Sequence, residues 1–270
     1  MLEIIKAMIL GIIQGITEWL PISSTGHMIL FDEFVPMNVT GKFKELFLVV
    51  VQLGSIMAVV ILFWSKLNPF LRSKSKQEKI DTYSLWFKVA VSSIPAIVAG
   101  LFLDKYIDRL YNPITVAVSL IIYGVLFIII ENMKKTERAT NISDLSYKMA
   151  FIIGLFQALA LIPGTSRSGS TIIGALLLGA SRSVASEFTF FLAIPIMFGA
   201  SILKVLKYGL VFSSLEVLIL LVGSLVAFIV SVFVIQFLMR FIKKHDFKIF
   251  GYYRIVLGIL ILIYFSCLAR

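Results

Sequence analysis

The sequence predicts an all-α polytopic membrane protein made of two inverted repeats, each a re-entrant helix-loop-helix hairpin followed by three transmembrane helices. Three observations predict it. Of the 270 residues, 59% are hydrophobic and only 15% charged, against about 25% charged in an ordinary soluble domain. Uncharged apolar runs of spanning length recur along the chain. Two further apolar segments are interrupted at their centres by proline, glycine and hydroxyl residues, and these two resemble each other.

The runs Leu46–Trp64, Leu110–Ile130 and Val217–Met239 each approach or exceed the roughly 20 residues that cross about 30 Å of hydrocarbon as a helix. Shorter runs at Val89–Leu103, Phe188–Leu203 and Ile255–Ala269 become spans once flanking interfacial residues are added. Six spans are therefore expected, near 45–64, 86–103, 110–131, 186–206, 215–239 and 249–268. They should be helical, because a spanning segment satisfies its backbone internally. The N-terminus lacks the pattern of a cleaved signal, since Glu3, Lys6 and Glu18 bracket its apolar stretch. The single cysteine, Cys267, excludes an intrachain disulfide and a Cys-based metal site.

Residues 7–31 and 149–181 do not fit simple crossing. The first has arms Ala7–Thr17 and Trp19–Phe31, each too short to span, around Glu18, Pro21, Ser23, Ser24, Thr25, Gly26 and His27. The second centres on Pro163 to Thr171. A hairpin that enters and returns on one side fits both, and irregular backbone at such depth must be buried in protein or line a cavity. Gln14 matches Gln157 at a spacing of 143 residues; Pro21 matches Pro163, Ser24 matches Ser166 and Glu45 matches Glu187 at 142. Three spans follow each hairpin. An odd number of crossings inverts the second copy (repeat one 1–135, repeat two 146–270, forming one integral membrane domain over 1–270), and inverted repeats place a site at their interface.

Charge orients this arrangement. The net charge is +10, which in a soluble protein would suggest a nucleic-acid partner. Here the basic residues sit in loops, so no nucleic acid is expected. If hairpin 7–31 enters from side X, side Y carries fourteen basic residues and side X eight, which makes Y cytoplasmic.

Ionisable groups within membrane segments point to function. Glu18, His27 and Arg167 all lie in the hairpins. Gln14 and Glu18, four apart, share a helix face. Arg167 offers a fork of donors suited to phosphate oxygens, and Ser166, Ser168 and Thr171 add hydroxyls. The run after them should be helical, placing the polar turn at a helix N-terminus that favours anions. No Gly-Lys-Ser/Thr follows, so a Walker-type ATPase is not supported. Hydroxyls in apolar helices also bond back to the preceding turn. Glu45 and Glu187 look interfacial, with a supporting role kept open by their symmetry. A transporter or lipid flippase is the competing class, because inverted repeats with broken helices are transporter architecture.

The stretch Gln14 to His27, QGITEWLPISSTGH, resembles the first signature of the undecaprenyl-diphosphatase family, also called bacitracin-resistance proteins. Pro163 to Thr171 matches its second, PGxSRSxxT. Gln14 occupies a position where that family takes Glu or Gln. The resemblance implies a phosphatase of the bacterial cell (inner) membrane. Its substrate would be undecaprenyl diphosphate, hydrolysed to the monophosphate so that the carrier lipid re-enters cell-wall synthesis, with bacitracin resistance as a consequence. It also implies a divalent cation, magnesium or calcium, and leaves a homodimer open. The expected roles are as follows. Arg167, Ser166, Ser168 and Thr171 bind the diphosphate. Glu18 holds the metal or acts as a base, with Gln14 orienting it or sharing the metal. Ser24 or His27 is the nucleophile, or His27 activates Ser24 or a water.

Overall fold

The computed structural model describes residues 1–133, 136–209 and 211–268, without the side chains of residues 104, 105, 107, 108, 267 and 268. Lys105, Lys134, Lys135, Cys267 and Arg270, on which the charge and cysteine arguments drew, lie outside that description. Among the described residues there are eleven α-helices. The first hairpin is α1 (Leu2–Thr17) and α2 (Ser24–Phe34); α3 (Gly41–Leu62) follows, then the single turn α4 (Trp64–Leu67), α5 (Lys76–Ile107) and α6 (Pro113–Asn132). The second hairpin is α7 (Tyr147–Leu159) and α8 (Arg167–Leu177), followed by α9 (Arg182–Tyr208), α10 (Ser214–Phe241) and α11 (Lys248–Ile263). Six of these helices are long and apolar enough to cross a membrane, as the hydropathy runs predict.

Local sequence starts the spans cleanly. The hydroxyls of Thr40, Ser181 and Ser213 accept from the backbone N–H three residues on, and Asn112 does the same ahead of Pro113 at the first helical position. These caps satisfy donors that hydrocarbon would leave orphaned. Large apolar side chains such as Leu101, Phe102, Leu221 and Phe233 stand on the outside of the spans, each more than half exposed, a surface that only lipid covers.

Both hairpins leave on the side they entered. Lys6 Nζ donates to Pro36 O, and Asn38 N–H donates to Glu3. The start of α1 is thus tied to the chain that emerges after α2. On the other side Arg138 and Ala139 donate to Gly179 O, and Ser181 donates to Ala139 O, which ties the approach to α7 to the exit from α8.

The two copies interlock. In each, the first hairpin arm packs on the second long span of the other copy: Ser231 Oγ of α10 donates to Gly15 O of α1, and Ser92 Oγ of α5 donates to Ala150 O of α7. Helices α3 and α9 run antiparallel, with Lys204–Glu45 (2.7 Å) at one end and Lys66–Glu187 (2.5 Å) at the other. These are the two symmetric acidic residues, each paired with a lysine of the opposite copy. Helices α6 and α11 also cross antiparallel, with Gly124 and Gly251 so close that a Cβ on either would lie 2.7 Å from the other's carbonyl oxygen. Small residues permit such approach between spans. Antiparallel mates are compatible with an inverted duplication.

One pairing is corrected. Ser166 matches Ser23, not Ser24. Both are helix N-caps held at positive φ, 69° and 72°, and they accept from Gly169 N and Gly26 N respectively. That spacing is 143, the same as Gln14–Gln157. The shared prolines are out of step by one residue because capping geometry, rather than the proline, sets the loop register.

Candidate active site

Residues 18–23 and 160–166 are the non-helical tips of the hairpins, and they meet in the protein interior. Each tip ends in a serine with left-handed φ, a conformation that costs a non-glycine residue roughly 1–3 kcal/mol and clusters at functional sites. The cap hydroxyl offsets part of this by satisfying the first turn of α2 or α8.

Glu18 lies at the centre, 6% exposed. Its Oε1 accepts from Arg167 Nη2 at 3.1 Å, and its Oε2 accepts from Gln14 Nε2 at 2.9 Å and from Ser24 Oγ at 3.1 Å. Its backbone carbonyl accepts from Ser168 Oγ at 3.1 Å. Gln14 reaches Glu18 because both lie on one face at the end of α1. Arg167, the first residue of α8, is held on two sides: Nη1 donates to Thr189 O of α9 at 2.9 Å, and the guanidinium lies 5.8 Å from the Trp19 ring. Its Nε has no hydrogen-bond partner, so one donor of the fork is left over at the tip. A buried pair of this kind persists only when well hydrogen-bonded, and removing one partner leaves an uncompensated charge.

The other expected site residues divide. Ser168 Oγ, bonded to the Glu18 carbonyl, lies 3.1 Å from Ser166 Oγ, which also caps α8 through Gly169 N–H. Thr171 is fully buried. Its Oγ1 donates back along α8 to the carbonyls of Arg167 and Ser168 and accepts from Thr189 Oγ1. That is the back-bonding alternative for a hydroxyl in an apolar helix; it supports Arg167's helix and the Thr189 contact instead of reaching the tip. His27 lies one turn below Ser24 on α2. Its Nδ1 donates to Ser23 O at 2.8 Å, its Nε2 pairs with Tyr253 Oη at 2.7 Å, and its ring stacks on that tyrosine at 5.6 Å.

Arg254, on α11, joins the two tips and belongs to neither hairpin motif. It is fully buried. Nη1 donates to Pro21 O of the first tip, and Nη2 donates to Gly164 O and Thr165 O of the second. One guanidinium therefore clamps both tips. The signal was present, since an arginine in an apolar run is itself a functional marker. Tight backbone accompanies the clamp: Gly164 has φ +91° and would place a Cβ 2.4 Å from Val116 O, so only glycine fits.

Among the described residues no group of three or more His, Cys, Asp or Glu is gathered to hold a metal ion. Among those residues no all-protein cage is built. Magnesium, however, is typically held by one or two carboxylates with the remainder from substrate phosphates and water, and Glu18 with the Gln14 amide fits that smaller share.

Comparison with known proteins identifies the family. The family model described as bacitracin resistance protein BacA matches residues 7–260, from the first hairpin into the last span. An Enterococcus faecalis protein named undecaprenyl-diphosphatase is 60% identical over 268 residues, covering 97% of each chain. An Acetivibrio thermocellus protein of the same name is 58% identical over 98% of each. A Clostridioides difficile protein named undecaprenyl-diphosphatase 1 is 59% identical over 99% of this chain and 98% of its own. A match that spans both hairpins and runs on into the sixth long helix, with near-full-length relatives at this identity, leaves one conclusion: the chain belongs to the bacitracin resistance protein BacA family.

Proposed function

We propose that the protein hydrolyses undecaprenyl diphosphate to undecaprenyl phosphate and inorganic phosphate, recycling the carrier lipid for cell-wall synthesis and conferring resistance to bacitracin. The observation that carries this reading is the buried Glu18–Arg167 pair at the meeting point of two hairpin tips, with an unpartnered Arg167 N–H beside it. The names of the near-full-length relatives supply the substrate.

Arg167 binds the terminal phosphate through its free Nε–H and through Nη2, which exchanges Glu18 for a phosphate oxygen. The same contacts stabilise the charge that grows in the transition state. Ser166 and Ser168 add hydroxyl donors. Because Ser24 Oγ already donates to Glu18, Ser24 is the favoured nucleophile and Glu18 its base. Ser24 Oγ bonds to the terminal phosphorus and its proton passes to Glu18. The bond from that phosphorus to the bridging oxygen breaks, and the departing lipid monophosphate takes the electron pair and the proton from Glu18. Water then attacks the phosphoserine, giving its proton to Glu18 for return to Ser24 Oγ. His27, with both ring nitrogens engaged, orients α2. Magnesium or calcium held by Glu18, Gln14 and the diphosphate would supply further neutralisation of phosphate charge. Thr171 acts through Arg167 and Thr189.

The site serves the outer side of a bacterial cell membrane on this reading, with Y cytoplasmic by the basic-residue excess. The test is phosphate release from undecaprenyl diphosphate by purified full-length protein in detergent with magnesium. Release is expected, and Glu18→Gln should abolish it. No release, together with movement of the lipid between leaflets of proteoliposomes, would replace this reading with a transporter.

A further inference from the structure

A polar cavity lies at the side-Y end of the bundle, away from the catalytic tips. It has a volume of about 560 Å³, in the range of small-molecule sites. Its walls are the loop after α4, the first turns of α5, the turn at 140–143 and the first turns of α9. None of Glu18, Ser24, His27 or Arg167 lines it.

Its charges balance in number but not in pairing. Lys66, Lys74 and Lys88 line it, and so do Glu78, Asp81 and Glu187. Only one ion pair forms among them. Glu187 pairs with Lys66. Glu78 accepts from Ser75 N–H at 2.7 Å, closing the start of α5, and Asp81 accepts from Gln77 Nε2 at 3.0 Å. Among the described residues, neither Lys74 nor Lys88 has a carboxylate within ion-pair distance. Lys74 Nζ donates to Thr82 Oγ1 at 2.6 Å and to Lys66 O at 3.3 Å. Lys88 Nζ donates to Ser143 O at 3.0 Å and Ile142 O at 3.4 Å, although the residue is only 5% exposed. An ammonium carries three donors, so each lysine keeps one for the cavity.

Lys88, buried and hydrogen-bonded only to neutral oxygens, feels Asp144 and Asp81 only from beyond ion-pair distance, and an anion between it and the half-buried Lys74 would give it a direct partner. The rest of the wall suits a phosphate. Ser73, Ser84 and Ser143 contribute polar groups, and Ser183 lies in the first turn of the 27-residue helix α9, where backbone N–H groups and the dipole favour anions. Leu85, Val184 and Phe191 give an apolar floor for the organic part of a phosphate ester. Basic pockets between transmembrane helices are where anionic lipid headgroups settle.

We infer that this cavity is a second phosphate site, which takes a phosphate monoester between Lys74 and Lys88, either the headgroup of an anionic phospholipid or a soluble ester. Helix α9 joins it to the catalytic centre: Glu187 and Phe191 face the cavity, and the carbonyl of Thr189 between them holds Arg167.

Equilibrium dialysis of radiolabelled inorganic phosphate against full-length protein in detergent tests this. The Arg167→Ala background removes the catalytic clamp. Label should be retained there, and Lys74→Gln/Lys88→Gln should weaken its binding at least tenfold. Lys74→Gln alone, at the cavity rim, should weaken it several-fold with an unchanged thermal unfolding temperature, which keeps the test decisive if the double variant misfolds. Displacement by phosphatidic acid in phosphatidylcholine-detergent micelles would assign the headgroup; displacement by glycerol phosphate alone would assign a soluble ester. Loss of label in the Arg167→Ala background, undiminished binding in the lysine variants, or no displacement by either ester would overturn the site. None of these outcomes depends on whether the lipid diphosphate is hydrolysed.

Discussion

Glu18 and Arg167 are 149 residues apart in the chain, yet Arg167 Nη2 sits 3.1 Å from Glu18 Oε1 inside the protein. Each comes from the tip of a different hairpin, so the pair exists only when both copies are folded together. Glu18→Gln should abolish turnover, because it removes the only carboxylate in contact with Ser24 Oγ among the described residues. It should also destabilise the fold by about 3–5 kcal/mol, the range for breaking one partner of a buried pair. Assays with magnesium and a detergent thermal melt measure both. Full activity in the variant would remove Glu18 from the mechanism.

Arg167→Lys keeps the charge but loses the fork. Arginine bonds Thr189 O and Glu18 through separate nitrogens and still has Nε free; an ammonium on a flexible stem cannot reproduce that. Turnover should fall roughly 10²–10³-fold, the usual loss for one transition-state donor. A correctly folded variant within threefold of wild type would mean that Arg167 does not clamp phosphate.

Ser24→Ala and His27→Ala should behave differently. Ser24 donates to Glu18, whereas His27 is turned toward Ser23 O and Tyr253. Rapid-quench labelling with a radiolabelled lipid diphosphate should trap a phosphoenzyme in wild type and in His27→Ala, and none in Ser24→Ala. Label that persists without Ser24 would move the nucleophile to another group. No covalent label in wild type throughout turnover would favour direct attack by water.

Arg254→Ala should be among the most damaging single changes. It leaves the carbonyls of Pro21, Gly164 and Thr165 without donors, at about 1–3 kcal/mol for each buried orphan. The unfolding temperature in detergent should drop sharply. Arg254→Lys should fall between, since one ammonium cannot span both tips as the guanidinium does. An unchanged melt and turnover in both variants would show that the tips hold themselves together.

The spans and hairpins were legible because hydropathy and chain length decide them, and Glu18 and Arg167 because charge inside an apolar segment needs a reason. The clamp by Arg254 was not legible. Its arginine was visible, but its partners are backbone carbonyls, which carry no sequence signature. Tyr123 and Tyr253, which reach Ser170 and His27, look like ordinary apolar residues in spans. Thr171 was named from its motif position, and its hydroxyl bonds back to α8 and accepts from Thr189 Oγ1. The Ser24–Ser166 match failed because sequence aligns residue types, whereas the loops are aligned by left-handed caps at Ser23 and Ser166.

The two hairpins open to opposite faces of the membrane on this reading, so the face that the catalytic site serves can be read by cysteine labelling. Hairpin one returns to side X, where Lys6 and Glu3 hold residues 36–38; hairpin two returns to side Y, where Arg182 pairs with Glu131. The loop before α5 lies on Y and is rich in lysine and arginine, which places Y in the cytoplasm by the basic-residue rule. The tip bearing Glu18 and Ser24 is then approached from outside. Thr25, half-buried on the first turn of α2, should after Thr25→Cys in a Cys267→Ser background react with a membrane-impermeant thiol reagent added to intact cells. Ser75, exposed on the Y loop, should after Ser75→Cys stay unlabelled until the cells are opened. Labelling of position 75 and protection of position 25 in intact cells would invert the topology and place the site on the cytoplasmic side.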